Sequence, residues 1–432
     1  MFKNYLKITL AVMKRHKFYT FISLFGISMT LTILIVLASF IDQALAPTYP
    51  EVNRSRSLYV RTVKIMDIKN HSSSMNPLSQ FFIKTYIKTM PLPEKVAMTT
   101  SMAMPTNTYL NQQKAKVFIK YTDDEFWNIT QFLFLEGKGF TNETLKSNAQ
   151  SVIISDLIRD KYFGKGVSVI GKSLEIEDVV FNIVGVVRNC PLTQVYAGSD
   201  IYLPYTADKS PLVEGELAGR YMAIIVARKA SDLPRIRADF LAMLPKIPLQ
   251  NDKDVAKKKL GSFNSSGHGF NPDSLVAHAE TYVESFTSIL ASNNDDSGKA
   301  TFFMLLSLFA LLFMLLPALN LINVNISRIM ERASEIGIRK AYGASAGTLS
   351  LQFVIENVIL TVIGGGIAIG LSSLIILYLN RYGIGPLPTL NLTINWLVVA
   401  VALLLCLVFG LMSGAYPAWR MSKLSVVDAL KN

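Results

Sequence analysis

Charge is scarce in this chain, and it is missing in blocks. Only 17% of the 432 residues are charged, half are hydrophobic, and the mean hydropathy is +0.34. A soluble domain of this length carries more charge. Cysteine is nearly absent: Cys190 and Cys406 are the only two, which excludes a disulfide framework and a site of paired cysteines. The four histidines, His16, His71, His268 and His278, show no ligand spacing and read as lone surface groups. The outside domain, residues 42–299, holds no H-E-x-x-H and no G-x-S-x-G, so neither a zinc protease nor a serine hydrolase of those types is read in it. "TDDEFW" (Thr122 to Trp127) reads as a solvated turn entering a helix rather than a metal cluster.

The uncharged blocks are long enough to cross a hydrocarbon core, which takes about 20 helical residues. They are Phe18 to Ile41, Ala300 to Ser327, Asn357 to Asn380 and Leu392 to about Tyr416, with none between Asp42 and Lys299. "QALAP" after the first offers signal-peptidase spacing at Ala44 and Ala46. Its 24 uncharged residues exceed the roughly 7 to 15 of a signal core, so it is read as an anchor.

The basic residues that flank these blocks orient them. Lys3, Lys7, Lys14, Arg15 and Lys17 precede the first; Arg328, Arg332, Arg339 and Lys340 follow the second; Arg420, Lys423 and Lys431 follow the fourth; the loop after the third has only Arg381. The positive-inside rule places both termini and the second loop in the cytoplasm and residues 42–299 outside. Between residues 44 and 299, 30 basic residues face 26 acidic ones, so the basic balance of the chain is mostly an orientation signal and nucleic acid is not an expected partner.

The fold expected is an α+β membrane protein: four transmembrane α-helices, with a large extracytoplasmic α/β domain of two subdomains, one β-rich, between helices one and two. The divisions are a cytoplasmic arm (1–17), a first crossing (18–41), the outside domain (42–299, with the β-rich insertion at about 111–205) and a second crossing (300–327). A cytoplasmic loop (328–345), a third crossing (350–380), a short external loop (381–391), a fourth crossing (392–416) and a cytoplasmic tail (417–432) follow. In the outside domain "RSLYVRTVKI", "KVAMTTSMAM", "KAKVFIKYT" and "GRYMAIIVARK" read as strands and "LSQFFIKTYIKTM" as a helix. Ser231 is placed to cap a further helix with Pro234 in its first turn. "NHSSSMNP" (Asn70 to Pro77) and the stretch from Asn251 to Ser274 read as mobile. Lys257 to Lys259 fits a solvated face or a contact with an acidic partner.

"GVSVIGKS", Gly166 to Ser173, matches the phosphate-loop pattern letter for letter. A phosphate loop needs a strand before it and a helix after it, whose free amides hold the phosphates. Here the order is reversed, since "SDLIRDKYFG" reads as a helix and "KSLEIEDVVFNIVGVVRN" as strands, and the segment lies on the side opposite the cytoplasmic nucleotide pool. It is read as a loop leading into a strand.

The richest signal is "RIMERASEIGIRKAYGAS", Arg328 to Ser345. Over Arg328 to Ala341 it reads as a helix laced with opposite charges: Arg328 with Glu331, Arg332 with Glu335, Glu335 with Arg339. Ile329, Ala333 and Ile336 form its apolar stripe, and Gly343 can end it. Physics leaves two readings open, a lever between a soluble partner and the bilayer, or an interfacial helix resting on head groups. Gly366/Gly370 and Gly410/Gly414 have the GxxxG spacing that permits close helix approach, read first as packing within one subunit and second as a dimer seam. Pro317 and Asn320 suggest a kink with a polar contact, and Glu356 lies close enough to the cytoplasmic edge to reach water or Arg339.

"ERASEIGIRKAYGAS", "LQFVIENVILTVIGGGIAIG" and "SGAYPAWRMSKLSVVDAL" resemble the membrane signature of the MacB/FtsX family of ABC-transporter permeases. "DKYFGKGVSVIGKSLEIEDVVFNIVGVVRN" resembles that family's periplasmic core domain. The resemblance spans nearly the whole chain; Ser425, where relatives often have proline, is a minor departure. It implies a bacterial inner-membrane permease subunit without catalytic residues or a bound cofactor of its own. ATP would be hydrolysed by a separate cytoplasmic ABC ATPase, because only 17 residues precede the first crossing. It implies that Glu331, Arg332, Glu335, Ile336, Gly337, Ile338, Arg339, Lys340 and Gly343 form a coupling helix docked on that ATPase. The implied partners are a second permease subunit, identical or sister, membrane lipid, and an optional periplasmic adaptor or outer-membrane channel. The implied role is export or extraction of a peptide, toxin or lipoprotein. The alternative is a scaffold that regulates an outside partner such as a cell-wall hydrolase.

Overall fold

The computed structural model describes residues 13–15, 17–45, 47, 49–69, 71–110, 113–147, 149–190, 194–209, 216–249, 274–291, 298–313, 315, 346–383, 390 and 392–422. The chain divides into two compact units, Leu45–Lys299 and, from both sides of it, Met1–Ala44 with Ala300–Asn432.

The first unit is built on strands. They are β1 (Ser57–Val60), β2 (Thr62–Asp67), β3 (Ser72–Pro77), β4 (Lys95–Thr100), β5 (Met104–Leu110), β6 (Gln113–Thr122) and β7 (Phe134–Gly137). Then come β8 (Ser151–Ser155), β9 (Ser173–Ile176), β10 (Val179–Val187), β11 (Ile201–Pro204), β12 (Tyr221–Val226) and β13 (Ser274–Ala277). β12 lies between β1 and β4, antiparallel to both. Both faces of this sheet are covered. Leu58, Val60, Ala223 and Ile225 pack with the helical segment 80–87 and α5 (Leu233–Met243), while Tyr59, Met222, Ile224 and Val226 pack with α2 (Asp124–Ile129) and α6 (Tyr282–Ala291). That is why "YMAIIV" is apolar throughout instead of alternating.

The β-rich part differs from expectation in extent. β6, β11, β8, β10, β9 and β5 pair in that order, and β5 pairs back to β6, so six strands close into a ring running from Met104 to Pro204. The ring is fused to the first sheet, because β6 also pairs β4 at Thr122 and Thr99. Three local expectations are corrected. "RSLYVRTVKI" is two strands in two sheets, β1 and β2, parted at Arg61. "NHSSSMNP" carries β3, held in full antiparallel register from Thr62↔Pro77 to Asp67↔Ser72, because β2 offers it a paired edge that composition alone does not reveal. Ser231 sits inside a 3-10 turn, Ala230–Asp232, so the helix starts from Asp232 with Pro234 in its first turn. Of the stretch from Asn251 to Ser274, residues 251–273 lie outside the described residues.

The second unit contains α1 (Lys17–Leu45), α7 (Lys299–Phe313), α8 (Ala346–Tyr382) and α9 (Trp396–Ser422). Among the described residues two helices are long and apolar enough to cross a membrane, Lys17–Leu45 and Val354–Tyr382; Lys299–Phe313 and Trp396–Val408 are shorter apolar helices. The loop from Arg328 to Ser345, and with it every expected ATPase contact, lies outside the described residues, as do Pro317 and Asn320.

Candidate functional site: the helix junction and the GKS loop

Among the described residues the membrane unit packs through two glycines beside the pair singled out from spacing. A Cβ on Gly364 would lie 2.8 Å from Ile27 Cγ2, and one on Gly365 would lie 2.4 Å from Leu403 Cδ2. At Gly366 and Gly370 an added Cβ meets nothing within 4 Å among the described residues. The triple glycine turns its first two members toward α1 and α9, and the packing expected at Gly366 and Gly370 meets no neighbour among the described residues, which leave out part of the expected second crossing. Gly410 and Gly414 both lie on α9.

Paired positions fix the helix directions. Ile27 meets Gly364, Thr32 Oγ1 donates to the Ala368 carbonyl at 3.4 Å, and Val36 and Phe40 pack in one cluster with Ile376. Both numbers rise together, so α1 and α8 run parallel. Gly365 meets Leu403, while the Asn380 side chain donates to the Leu392 carbonyl and accepts from its amide, both at 2.9 Å, so α8 and α9 run antiparallel. Asn395 ties the start of α9 to Asp42 at 3.2 Å and caps α9 through the amides of Leu397 and Val398. Polar residues on the buried faces satisfy themselves along their own helices: Thr32 bonds the Ser28 carbonyl, Ser39 that of Ile35 and Thr361 that of Asn357. Glu356 is only 3% exposed, and Arg339, the other contact expected of it besides water, lies outside the described residues.

The GKS loop joins α4 (Asp156–Tyr162) to β9, the reverse of the strand–loop–helix order of a phosphate site. Four of its amides are engaged within the chain. Gly166 donates to Asp160, Val169 to Glu136, Gly171 to the Ile183 carbonyl and Lys172 to the Val169 carbonyl. Two of these acceptors are carboxylates, so an anion would meet like charge where a phosphate site offers free N–H groups. Burial pushes the Glu136 carboxyl up, but hydrogen bonds from Ser168 and the Val169 amide, with Arg159 beside it, hold it below the usual carboxylate range. The Arg159 hydrogen bond does the same for Asp160. Gly166 and Gly171 are glycines because their φ angles, +72° and +81°, are left-handed. Lys172 Nζ lies over the Phe163 ring at 5.4 Å. Among the described residues no cluster of three metal-ligating side chains occurs.

Sequence reasoning missed a buried polar group at the start of the outside domain. Arg54 pairs with Glu51 at 2.7 Å, bonds Gln194 and stacks over the Tyr282 ring at 3.6 Å. Lys120, on β6, is fully buried and donates to the Thr100 carbonyl at 2.9 Å. "EVNRSR" and "FIKYT" hold no spacing that marks these charges as internal. "TDDEFW" is likewise not solvated at its start: Asp123 is buried, caps α2 through the Phe126 amide and pairs with Lys88 at 2.7 Å.

Residues 20–242 match the family model described as the MacB-like periplasmic core domain, and residues 307–426 match the FtsX-like permease C-terminal model. A chain that carries both belongs to the MacB/FtsX-like family of ABC transporter permeases, membrane proteins with a large extracytoplasmic domain. It is 21% identical over 99% of its length to the macrolide export ATP-binding/permease protein MacB of Hahella chejuensis, of which it spans 60%. It is 23% identical to the uncharacterized ABC transporter permease YknZ of Bacillus subtilis (78% of this chain, 75% of that one). To YvrN of the same organism, also an ABC transporter permease, it is 25% identical (80% and 81%). Among solved structures, the periplasmic region of MacB from Actinobacillus actinomycetemcomitans matches at 11% identity and a TM-score of 0.36, covering 55% of this chain and 94% of that one.

Proposed function

We propose that this chain is the permease subunit of an ABC transporter in which a separate cytoplasmic ATPase supplies the chemistry and the chain converts it into movement of the outside domain. The observation that carries the reading is the presence, in one chain, of a periplasmic-core match followed by a permease match. A separate ATPase is supported by relatives whose names describe permeases alone, YknZ and YvrN. The GKS loop supports it too, since the amides of Gly166, Val169, Gly171 and Lys172 are occupied by the chain's own acceptors.

Four crossings are supported by helix direction. Two parallel spanning helices, α1 and α8, need a return crossing between them, and the apolar segment from Ala300 to Ser327, which begins with α7, is placed to provide it. The positive-inside rule then puts both termini and the Arg328–Ser345 loop in the cytoplasm of a bacterial inner membrane. That loop would be the coupling helix, with a second permease subunit completing the transporter, and cargo such as a peptide, toxin or lipoprotein would engage the outside domain.

The test is biochemical. The purified chain is expected to bind no ATP, to recover hydrolysis only on adding its ABC ATPase, and to keep that rate in the Lys172→Ala variant. Nucleotide binding by the chain alone, lost in Lys172→Ala, would overturn the assignment.

A further inference from the structure

The stretch "QFLFLEG", Gln131 to Gly137, is inverted for a surface strand. Phe132 and Phe134 turn inward onto Trp127, with ring centroids 5.3 and 5.4 Å away. The alternate residues, which an outer strand normally fills with polar side chains, are Leu133 and Leu135, 49% and 43% exposed. β7 pairs only with β10, so its other edge is open among the described residues as well. An exposed apolar edge is an aggregation liability unless something covers it.

The start of the outside domain is bonded to this edge. The Gln131 amide donates to the Pro50 carbonyl at 2.8 Å, and the Leu133 amide donates to Tyr49 Oη at 3.3 Å; that phenol in turn donates to the Arg188 carbonyl at 2.9 Å. Pro50 follows the last residue of α1, Leu45, by five residues, a reach of at most roughly 18 Å when fully extended. The uncharged part of α1, residues 18–41, is about 36 Å long as a helix, enough to fill a hydrocarbon core of about 30 Å and bring Leu45 to the head groups. The surface around β7 also carries Val52, 39% exposed, and the exposed cations Lys138 and Arg188. Apolar side chains with a tyrosine and basic groups beside them are the composition that partitions into a bilayer interface.

We propose that Leu133 and Leu135 dip into the outer surface of the membrane, with Arg188 and Lys138 on lipid phosphates, so that β7 is a lipid-facing foot of the outside domain. The proposal needs only that α1 crosses the membrane and does not depend on ATP coupling. Both native cysteines are buried, which keeps background labelling low. Single spin labels at Leu133→Cys, Leu135→Cys and, as a control on β10, Val180→Cys would be placed in the full chain in phosphatidylethanolamine/phosphatidylglycerol nanodiscs. The expected result is that oxygen, which concentrates in lipid, relaxes the first two labels at least several-fold more than a water-soluble nickel chelate does, whereas the label at 180 prefers the chelate. Chelate access at 133 and 135 equal to that at 180 would overturn the proposal. Protection from both reagents would overturn it too, since the edge would then be covered by protein.

Discussion

Lys120 shows how far one buried side chain can set the behaviour of the outside domain. Burial lowers its pKa from 10.5 to about 7, and the Glu51 and Cys190 charges push back only in part. Between those values the unfolded chain holds a proton that the folded chain lacks, so stability falls as pH drops from 10.5 to about 7 and levels off below, by roughly 5 kcal/mol at full extent. Hydrogen exchange in β6 of the full-length protein, corrected for intrinsic rates, is expected to quicken over that window and to become pH-independent in Lys120→Met. Arg54 has the opposite character, a cation stabilised by its partners. Arg54→Met leaves the Glu51 carboxylate buried, with its Oε1 already lacking a hydrogen-bond partner, and is expected to cost about 3 to 5 kcal/mol. Adding Glu51→Gln should return much of that loss in the same exchange measurement; equal destabilisation in the single and double variants would deny the pair its role. Neither residue was legible in the sequence, because a buried charge looks like a surface charge until the partners that enclose it are known.

Among the elements, what could be read is what periodicity and long-range composition encode. The two long apolar helices Lys17–Leu45 and Val354–Tyr382, the covered sheet strand "YMAIIV" and the reversed order around the GKS loop follow from local pattern. The ring closure of β5 on β6 and the pairing of β3 do not, because both depend on edges supplied by distant segments. The glycine triplet marks the same boundary. Spacing points to Gly366 and Gly370, whereas the close contacts seen among the described residues are those of Gly364 and Gly365, which no spacing rule singles out. Gly364→Val is therefore expected to overpack the α1–α8 contact at about 1 to 3 kcal/mol, and Ile27→Ala should relieve it. Gly370→Val should leave the thermal unfolding of the detergent-purified chain unchanged. A larger loss at Gly370 than at Gly364 would mean that the outward face of α8 is the one under compression, as at a seam between subunits.

At the scale of the whole molecule the proposed function turns on Arg328 to Ser345, because a permease driven by a separate ATPase would need a rigid element through which that partner can push. The charge pattern there, Glu335 four residues ahead of Arg339, favours a helix, yet an exposed pair contributes only about 0.3 to 0.5 kcal/mol. Reversing either charge alone, Glu335→Lys or Arg339→Glu, thus cannot unfold the chain. Insertion and expression should stay normal, and so should the reach of labels: cysteines at both termini and in this loop modified only from the cytoplasm, those between 251 and 274 only from outside. If the loop docks on an ATPase, both reversals should weaken its co-purification or uncouple hydrolysis from cellular activity, and Gly337→Pro, which breaks a helix at about 3 kcal/mol or more, should do so more severely. A helix that merely rests on head groups would tolerate the single reversals, since neither removes its apolar stripe of Ile329, Ala333 and Ile336. Wild-type recruitment of the ATPase in all three variants would leave the chain a permease by descent whose drive enters somewhere other than this loop.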